Sequence, residues 1–197
     1  MAIDDESPDS EEISDLGTLK ALAHARRQAI LRQLHLKGPA TSAGLARDLG
    51  WNTGATSYHL RELARYGFVE EVPERARGRE RWWRATWRDL RFPRRSQQSP
   101  EVRGVIEDMN RRSLDDDVAT FARMQADAGE SGDWGDALPY SRGTIRVTLD
   151  ELAAFFEEYI GLLKRYQRPP EDEPDGVRLV LTRFFAFPAP SGDGDTG

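Results

Sequence analysis

From Thr41 to Gly67 the chain reads TSAGLARDLGWNTGATSYHLRELARYG, and its order of apolar and helix-breaking residues leaves few ways to fold. Leu45, Ala46 and Leu49 fall at the spacing of one helix face. Gly50 follows the last of them, the usual place for a residue just past a helix C-cap. Thr41 or Ser42 opens that helix with a side-chain oxygen suited to an N-cap. Asn52 or Thr53 caps the next helix, whose inward residues are Thr56, Leu60 and Leu63, and Gly67 ends it. Two short helices joined by a tight, glycine-bearing turn result.

The flanks extend this pattern. Between Thr18 and Leu36, Leu19, Leu22, Ala23, Ile30, Leu31 and Leu34 recur at steps of three, four and seven. That spacing predicts one amphipathic helix, ended by Gly38-Pro39. After Gly67, FVEEVPE and ERWWRATW read as strands, with RARGR between them and Gly78 at the tip of the turn. The expected order is helix, helix, tight turn, helix and hairpin, within residues 16–95.

The second helix of the pair has an outer face that packing does not require. Thr53, Gly54, Ala55, Ser57, Tyr58 and Arg61 lie off the Thr56–Leu60–Leu63 stripe. The major groove of DNA admits a helix of this kind, with its N-terminal residues against base edges. Small residues at the start let the backbone come close. Hydroxyls bond phosphates or bases, Arg61 suits a guanine or a phosphate, and the helix N-terminus itself favours phosphate. Short helices with polar outer faces are common, so the helix alone decides little. The hairpin adds to it: Arg75, Arg77, Arg79 and Arg81 straddle its turn, where a basic loop can reach the minor groove or the backbone. Thr41 and Ser42, at the start of the preceding helix, complete the candidate DNA-binding set.

Charge is distributed to match. From Gly17 to Arg95 there are 17 Lys and Arg against 7 Asp and Glu, within a chain of 197 residues whose net charge is -6. A basic segment beside acidic ones suggests that the basic segment meets a polyanion. Other function classes find little support. There is no Cys, and the three His (His24, His35 and His59) are too few for a His-rich metal cluster. His24 and His35 read as packing or surface residues and His59 as structural. No Ser/His/Asp or paired-carboxylate arrangement stands out, and Asp115-Asp116-Asp117 reads as a solvated charge run, so neither an enzyme nor a cofactor is expected. No apolar run approaches the ~20 residues of a membrane span, and the acidic start, MAIDDESPDSEE, lacks the features of a signal peptide. A cytoplasmic protein is expected.

The second half predicts a separate region, residues 100–188, beyond the polar boundary RFPRRSQQSPE. Val102, Val105, Ile106, Met109, Leu114, Val118, Phe121 and Met124 mark a long helix from Glu101 to about Ala128. Its Val102–Val105–Met109 stripe is the candidate dimer contact. TIRVTLD alternates as a strand, Thr148 and Glu151 form a candidate capping box, and the helix they open runs to Tyr166. VRLVLTRFFAF reads as a last strand. Residues 1–15 and 189–197 read as disordered tails. The fold class is mainly α (α+β), a winged helix-turn-helix followed by a long helix and a small helix-strand-helix-strand region. Trp134, Tyr140, Phe155, Phe156, Tyr159, Phe184, Phe185 and Phe187 form either a core or a pocket for a small-molecule effector.

LKALAHARRQAILRQL resembles the first helix of the bacterial ArsR-like winged-helix regulators, whose pattern is close to A-L-A-H-P-x-R-x-x-I-L. Leu22, Ala23, His24, Arg27, Ile30 and Leu31 match it, while Ala25 stands where Pro is frequent. TSAGLARDLG…TSYHLRELARYGFVEE is similar to the second and third helices, and RGRERWWRAT to the wing. The resemblance spans about Leu16 to Thr86. It implies a homodimeric transcriptional regulator, a repressor by family habit, that binds double-stranded DNA. It places Thr53, Gly54, Ala55, Ser57 and Tyr58 at the DNA, with Arg77 and Arg79 in the wing. The family's metal-sensing Cys and His sites are missing. The alternative from another class is a winged helix reused as a protein-interaction module.

Overall fold

The computed structural model describes residues 10–13, 15–76, 78, 80–86, 89–127, 129, 132–168 and 174–190. The chain divides into two compact units, residues 1–146 and 147–197.

The first unit opens with β1 (Ser10–Glu12), α1 (Leu16–Ala23) and α2 (Ala25–Lys37). A single helix was the expectation for α1 and α2, and the structure corrects it. The break falls at His24, whose backbone is extended (φ -67°, ψ 123°) and whose imidazole accepts the Arg26 N–H at 3.2 Å as the N-cap of α2. Gln28 donates to the Leu22 carbonyl at 2.6 Å, satisfying an acceptor near the end of α1. These are polar contacts, which apolar spacing cannot register.

β2 (Ala40–Thr41), α3 (Ser42–Leu49) and α4 (Thr53–Arg65) follow, then β3 (Val69–Glu71) and β4 (Trp82–Ala85). The sheet has the order β2-β4-β3, antiparallel throughout, with Ala40 opposite Trp83 and Val69 opposite Ala85. The expected hairpin is therefore a three-stranded wing, with Trp83 turned into the core.

β5 (Asp89–Arg91) pairs in parallel with β1, Ser10 opposite Asp89. Within the tail expected to be disordered over residues 1–15, Ser10–Glu12 instead form a strand and Ile13 is buried in the core. One apolar side chain in an acidic run suffices to anchor it, because β5 offers backbone partners. Residues 1–9 and 191–197 lie outside the described residues.

α5 (Pro100–Ala126) completes the unit and packs along α1. Ile106 and Met109 are buried in the common core, with Val102 and Val105 half-buried against it. Lys20 pairs with Glu101 at 2.7 Å, Arg32 with Asp116 at 3.2 Å, and Arg112 donates to the Ala23 carbonyl at the end of α1 at 2.9 Å. Of the stripe expected to face a second copy, Met109 is buried within its own chain and Val102 and Val105 remain half-buried.

The second unit is built on α6 (Leu149–Tyr166). Its start is a full capping box: Thr148 accepts the Glu151 N–H at 3.2 Å, and Glu151 accepts the Thr148 N–H at 2.7 Å. Phe184 lies against Phe155, Phe156 and Tyr159, with ring centroids 5.8, 5.8 and 4.6 Å away. Neither strand expected in the second half forms. Residues 144–148 and 177–187 have no ladder partner among the described residues and are almost wholly exposed. Alternation of apolar residues measures how well a strand would pack; it supplies no neighbour to pair with. The expected aromatic set also divides: Phe185 and Phe187 are exposed, Trp134 sits half-buried in the turn Gly132–Gly135, and Tyr140 meets Phe121 at 6.1 Å.

Candidate nucleic-acid interface

The interface is built around α4, and its position begins with Gly50. Gly50 is left-handed (φ 68°, ψ 32°), and its N–H and that of Trp51 return to carbonyls of α3, Trp51 to Ala46 at 2.8 Å. A Cβ here would meet nothing within 4 Å, so the requirement for glycine is the backbone angle alone. The chain leaves α3 sharply, and α4 starts only three residues later. The Arg26 guanidinium lies 5.2 Å from the centre of the Trp51 ring and holds this turn against α2.

Asn52 is the N-cap of α4: its Oδ1 accepts the Ala55 N–H at 2.7 Å. Between the two expected caps the structure selects Asn52, which leaves Thr53 as the first helical residue, exposed. The inner face is closed. Thr56, Leu60 and Leu63 are each 0% exposed, and the Thr56 hydroxyl donates to the Asn52 carbonyl at 3.1 Å. Burying each leucine stabilises by roughly 1.5–3 kcal/mol. Together they fix the roll of α4 about its own axis.

That roll decides what faces outward. Thr53, Gly54 and Arg61 are exposed, Tyr58 is 53% exposed, and Ala55 and Ser57 are half-exposed beside them. Six of the candidate residues thus share one side of one helix. Thr41 and Ser42 sit apart from them. Thr41 is the N-cap of α3, its hydroxyl oxygen accepting the Gly44 N–H at 3.0 Å, and both residues are half-buried.

The wing carries its charge unevenly. Arg75 stacks over the Trp82 ring at 5.8 Å, Arg81 pairs with Glu71 at 2.9 Å, and Arg84 pairs with Glu70 at 2.7 Å. Arg77 and Arg79, the expected tip residues, lie outside the described residues.

One contact had no signature in the sequence. His59, on the buried side of α4, stands 4.9 Å from His24, ring centre to ring centre, and the Tyr58 ring meets it edge-on at 5.3 Å. Burial pushes the His59 pKa down, with His24, Arg27 and Arg26 adding to it; burial and Arg27 do the same to His24. Both shifts favour the neutral imidazole, and the two rings pack α4 onto the α1–α2 junction. Among the described residues no group of three or more His, Cys, Asp or Glu is placed to hold a metal ion.

A tight pair of helices, the second presenting a polar face beside a three-stranded wing, defines a winged helix-turn-helix domain. Residues 22–72 match the family model described as a helix-turn-helix domain. Similar solved structures include a possible transcriptional regulatory protein (fragment 1–100) from Mycobacterium bovis. It is 32% identical over 35% of this chain and 70% of that one, with a TM-score of 0.31. Reduced HlyU from Vibrio cholerae is 28% identical over 49% of this chain and 84% of that one, with a TM-score of 0.31. A MarR family transcription regulator is 21% identical over 76% of each chain, with a TM-score of 0.33. No curated protein matches the chain. Among the described residues no helix is long and apolar enough to cross a membrane.

Proposed function

We propose that the protein is a sequence-specific transcriptional regulator of the ArsR-like kind. It acts as a homodimer in the cytoplasm and represses by occupying a near-palindromic operator. Two α4 helices set by a two-fold axis would enter successive major grooves about one DNA turn, ~34 Å, apart. Thr53, Gly54, Ala55, Ser57, Tyr58 and Arg61 would read bases and nearby phosphates. Arg75, Arg77 and Arg79 would hold the backbone from the wing, and Thr41 and Ser42 would meet phosphate at the start of α3. Residues 16–95 carry the DNA contacts in this reading, and residues 100–188 carry assembly and any effector response.

The observation that carries the reading is the division of α4 into two faces. The inner one is sealed at Thr56, Leu60 and Leu63, while the outer one offers a glycine, two hydroxyls, a half-exposed tyrosine and an arginine to solvent. With the arginine-bearing wing beside it, that second face offers the side chains that meet bases and phosphates.

The roles of helix and wing are tested by paired variants. Tyr58→Ala and Ser57→Ala should change the ranking of operator sequences. Arg77→Ala should weaken binding to all sequences alike and reduce the salt slope by about one. An Arg77→Ala protein with altered sequence choice and an unchanged slope would reverse the assignment.

A further inference from the structure

The helix that carries the outer face rests on a pair of imidazoles. His59 is 7% exposed on the inner side of α4, and its neighbour Tyr58 is 53% exposed on the outer side. The two rings meet edge-on at 5.3 Å, so His59 forms a wall for Tyr58. Behind it stands the exposed His24 ring, at 4.9 Å and tilted by 43°. His24 is itself fixed from α2: its Nδ1 accepts the Arg26 N–H at 3.2 Å. His59 has no such tether. Its Nδ1 is buried and, among the described residues, has no hydrogen-bond partner. Ring packing on His24, rather than a hydrogen bond at Nδ1, holds it in place.

We propose that His24 and His59 are positioning residues for Tyr58, and that a proton on His24 releases the Tyr58 ring. While His24 is neutral, its Nδ1 keeps a lone pair for the Arg26 N–H, and α2 stays capped. The imidazolium carries a proton on both nitrogens, so that acceptor is gone and two N–H groups face each other. The new charge also lies among cations. Arg26 and Arg27 of α2 face both rings, Arg112 of α5 faces His24, and Glu62 of α4 faces His59. Three guanidiniums outweigh one carboxylate, and the exposed His24 ring has solvent to turn into. Its departure takes away the support of His59 and, through His59, the wall beside Tyr58. Burial and the guanidiniums favour the neutral rings, so protonation sets in below the ordinary value of about 6.5. Acid should therefore blunt the choice among DNA sequences while leaving the general attraction to phosphate. That consequence rests on the proposed reading of DNA by Tyr58; the coupling of the three rings does not.

Proton NMR of the full chain without DNA tests the coupling. The Tyr58 ring resonances should shift with the midpoint of the His24 titration. His24→Asn should abolish that shift, since Asn caps a helix but takes no proton. Tyr58 resonances that stay fixed through the His24 titration would overturn the proposal. Anisotropy at constant ionic strength tests the consequence, as the ratio of Kd for a scrambled duplex to Kd for the duplex upstream of the protein's own gene. In wild type that ratio should fall about tenfold from pH 7.5 to 5.5, the scale of one lost base contact. Whatever its value at pH 7.5, the ratio in His24→Asn should stay within about twofold. A wild-type preference present at pH 7.5 and unchanged at pH 5.5 would overturn the proposal. So would a fall of equal size in His24→Asn, which would mark a general loosening in acid. Tyr58 resonances that follow His24 in a protein with no sequence preference at pH 7.5 would uphold the coupling and sink the DNA reading alone.

Discussion

Gly54→Ala should stabilise the protein and weaken its grip on DNA, and the opposite signs make it the sharpest single substitution. Gly54 lies in the first turn of α4, it is exposed, and its φ is not left-handed. The nearest atom to an added Cβ is the Asn52 Oδ1, at 3.5 Å, an ordinary van der Waals contact. The methyl therefore fits the free protein without strain. Alanine removes backbone freedom from the unfolded chain and favours helix, together worth about 0.5–1 kcal/mol at a first-turn position. For a chain of this size that raises Tm by roughly 1–4 °C. In the proposed complex the same methyl would occupy the space through which the backbone approaches the groove. Overpacking a close contact costs about 1–3 kcal/mol, so affinity should fall roughly 5- to 150-fold. Calorimetry gives the first quantity and fluorescence anisotropy with operator DNA the second. A higher Tm with unchanged affinity would mean that the start of α4 does not lie against DNA. A lower Tm would mean that the first turn is not helical as described.

Other substitutions separate stability from recognition in the same way. Asn52→Ala removes the cap from the Ala55 N–H and should cost about 1 kcal/mol; Asn52→Asp should keep that stability yet weaken DNA binding by adding an anion at the end of α4 proposed to face DNA. Equal thermal loss in both variants would argue against the cap. Leu63→Ala, at a site 0% exposed, should cost about 2–5 kcal/mol in chemical denaturation, and a loss under 1 kcal/mol would place Leu63 outside the core. Gly50→Ala forces a left-handed non-glycine residue at the turn and should cost about 1–2 kcal/mol. His24, His35 and His59 are all held below the ordinary imidazole value, with burial the first cause in each. Their contribution to stability is complete above the unfolded pKa of about 6.5 and is lost as pH falls below it. His59→Gln should flatten the fall of Tm between pH 7.5 and 5.5; a slope equal to that of wild type would remove His59 from this linkage.

The α3–α4 pair was legible because its signals are local. Gly50 specifies the turn, Asn52 caps at three residues' reach, and Thr56, Leu60 and Leu63 identify the inner face by spacing alone. The same is true of the Thr148–Glu151 capping box. What sequence patterns missed is set by partners far along the chain. β1 exists because β5 lies beside it, β2 because β4 does, and the His24–His59 contact because α4 folds back on the α1–α2 junction. Residues 177–187 show the converse: an apolar run reads as a strand, yet no neighbouring strand is present among the described residues. Within the candidate DNA-binding set, spacing identified the outer face of α4. It gave no sign that Arg81 answers Glu71.

The central claim, that the outer face of α4 and the basic wing bind specific DNA, is tested most directly by anisotropy. The full chain is titrated with the duplex upstream of its own gene and with a scrambled duplex, across a salt series. The account predicts tighter binding to the upstream duplex and a steep loss of affinity with salt, as several phosphates are neutralised. Equal, weak and salt-insensitive binding to both would contradict it and favour a protein-interaction module.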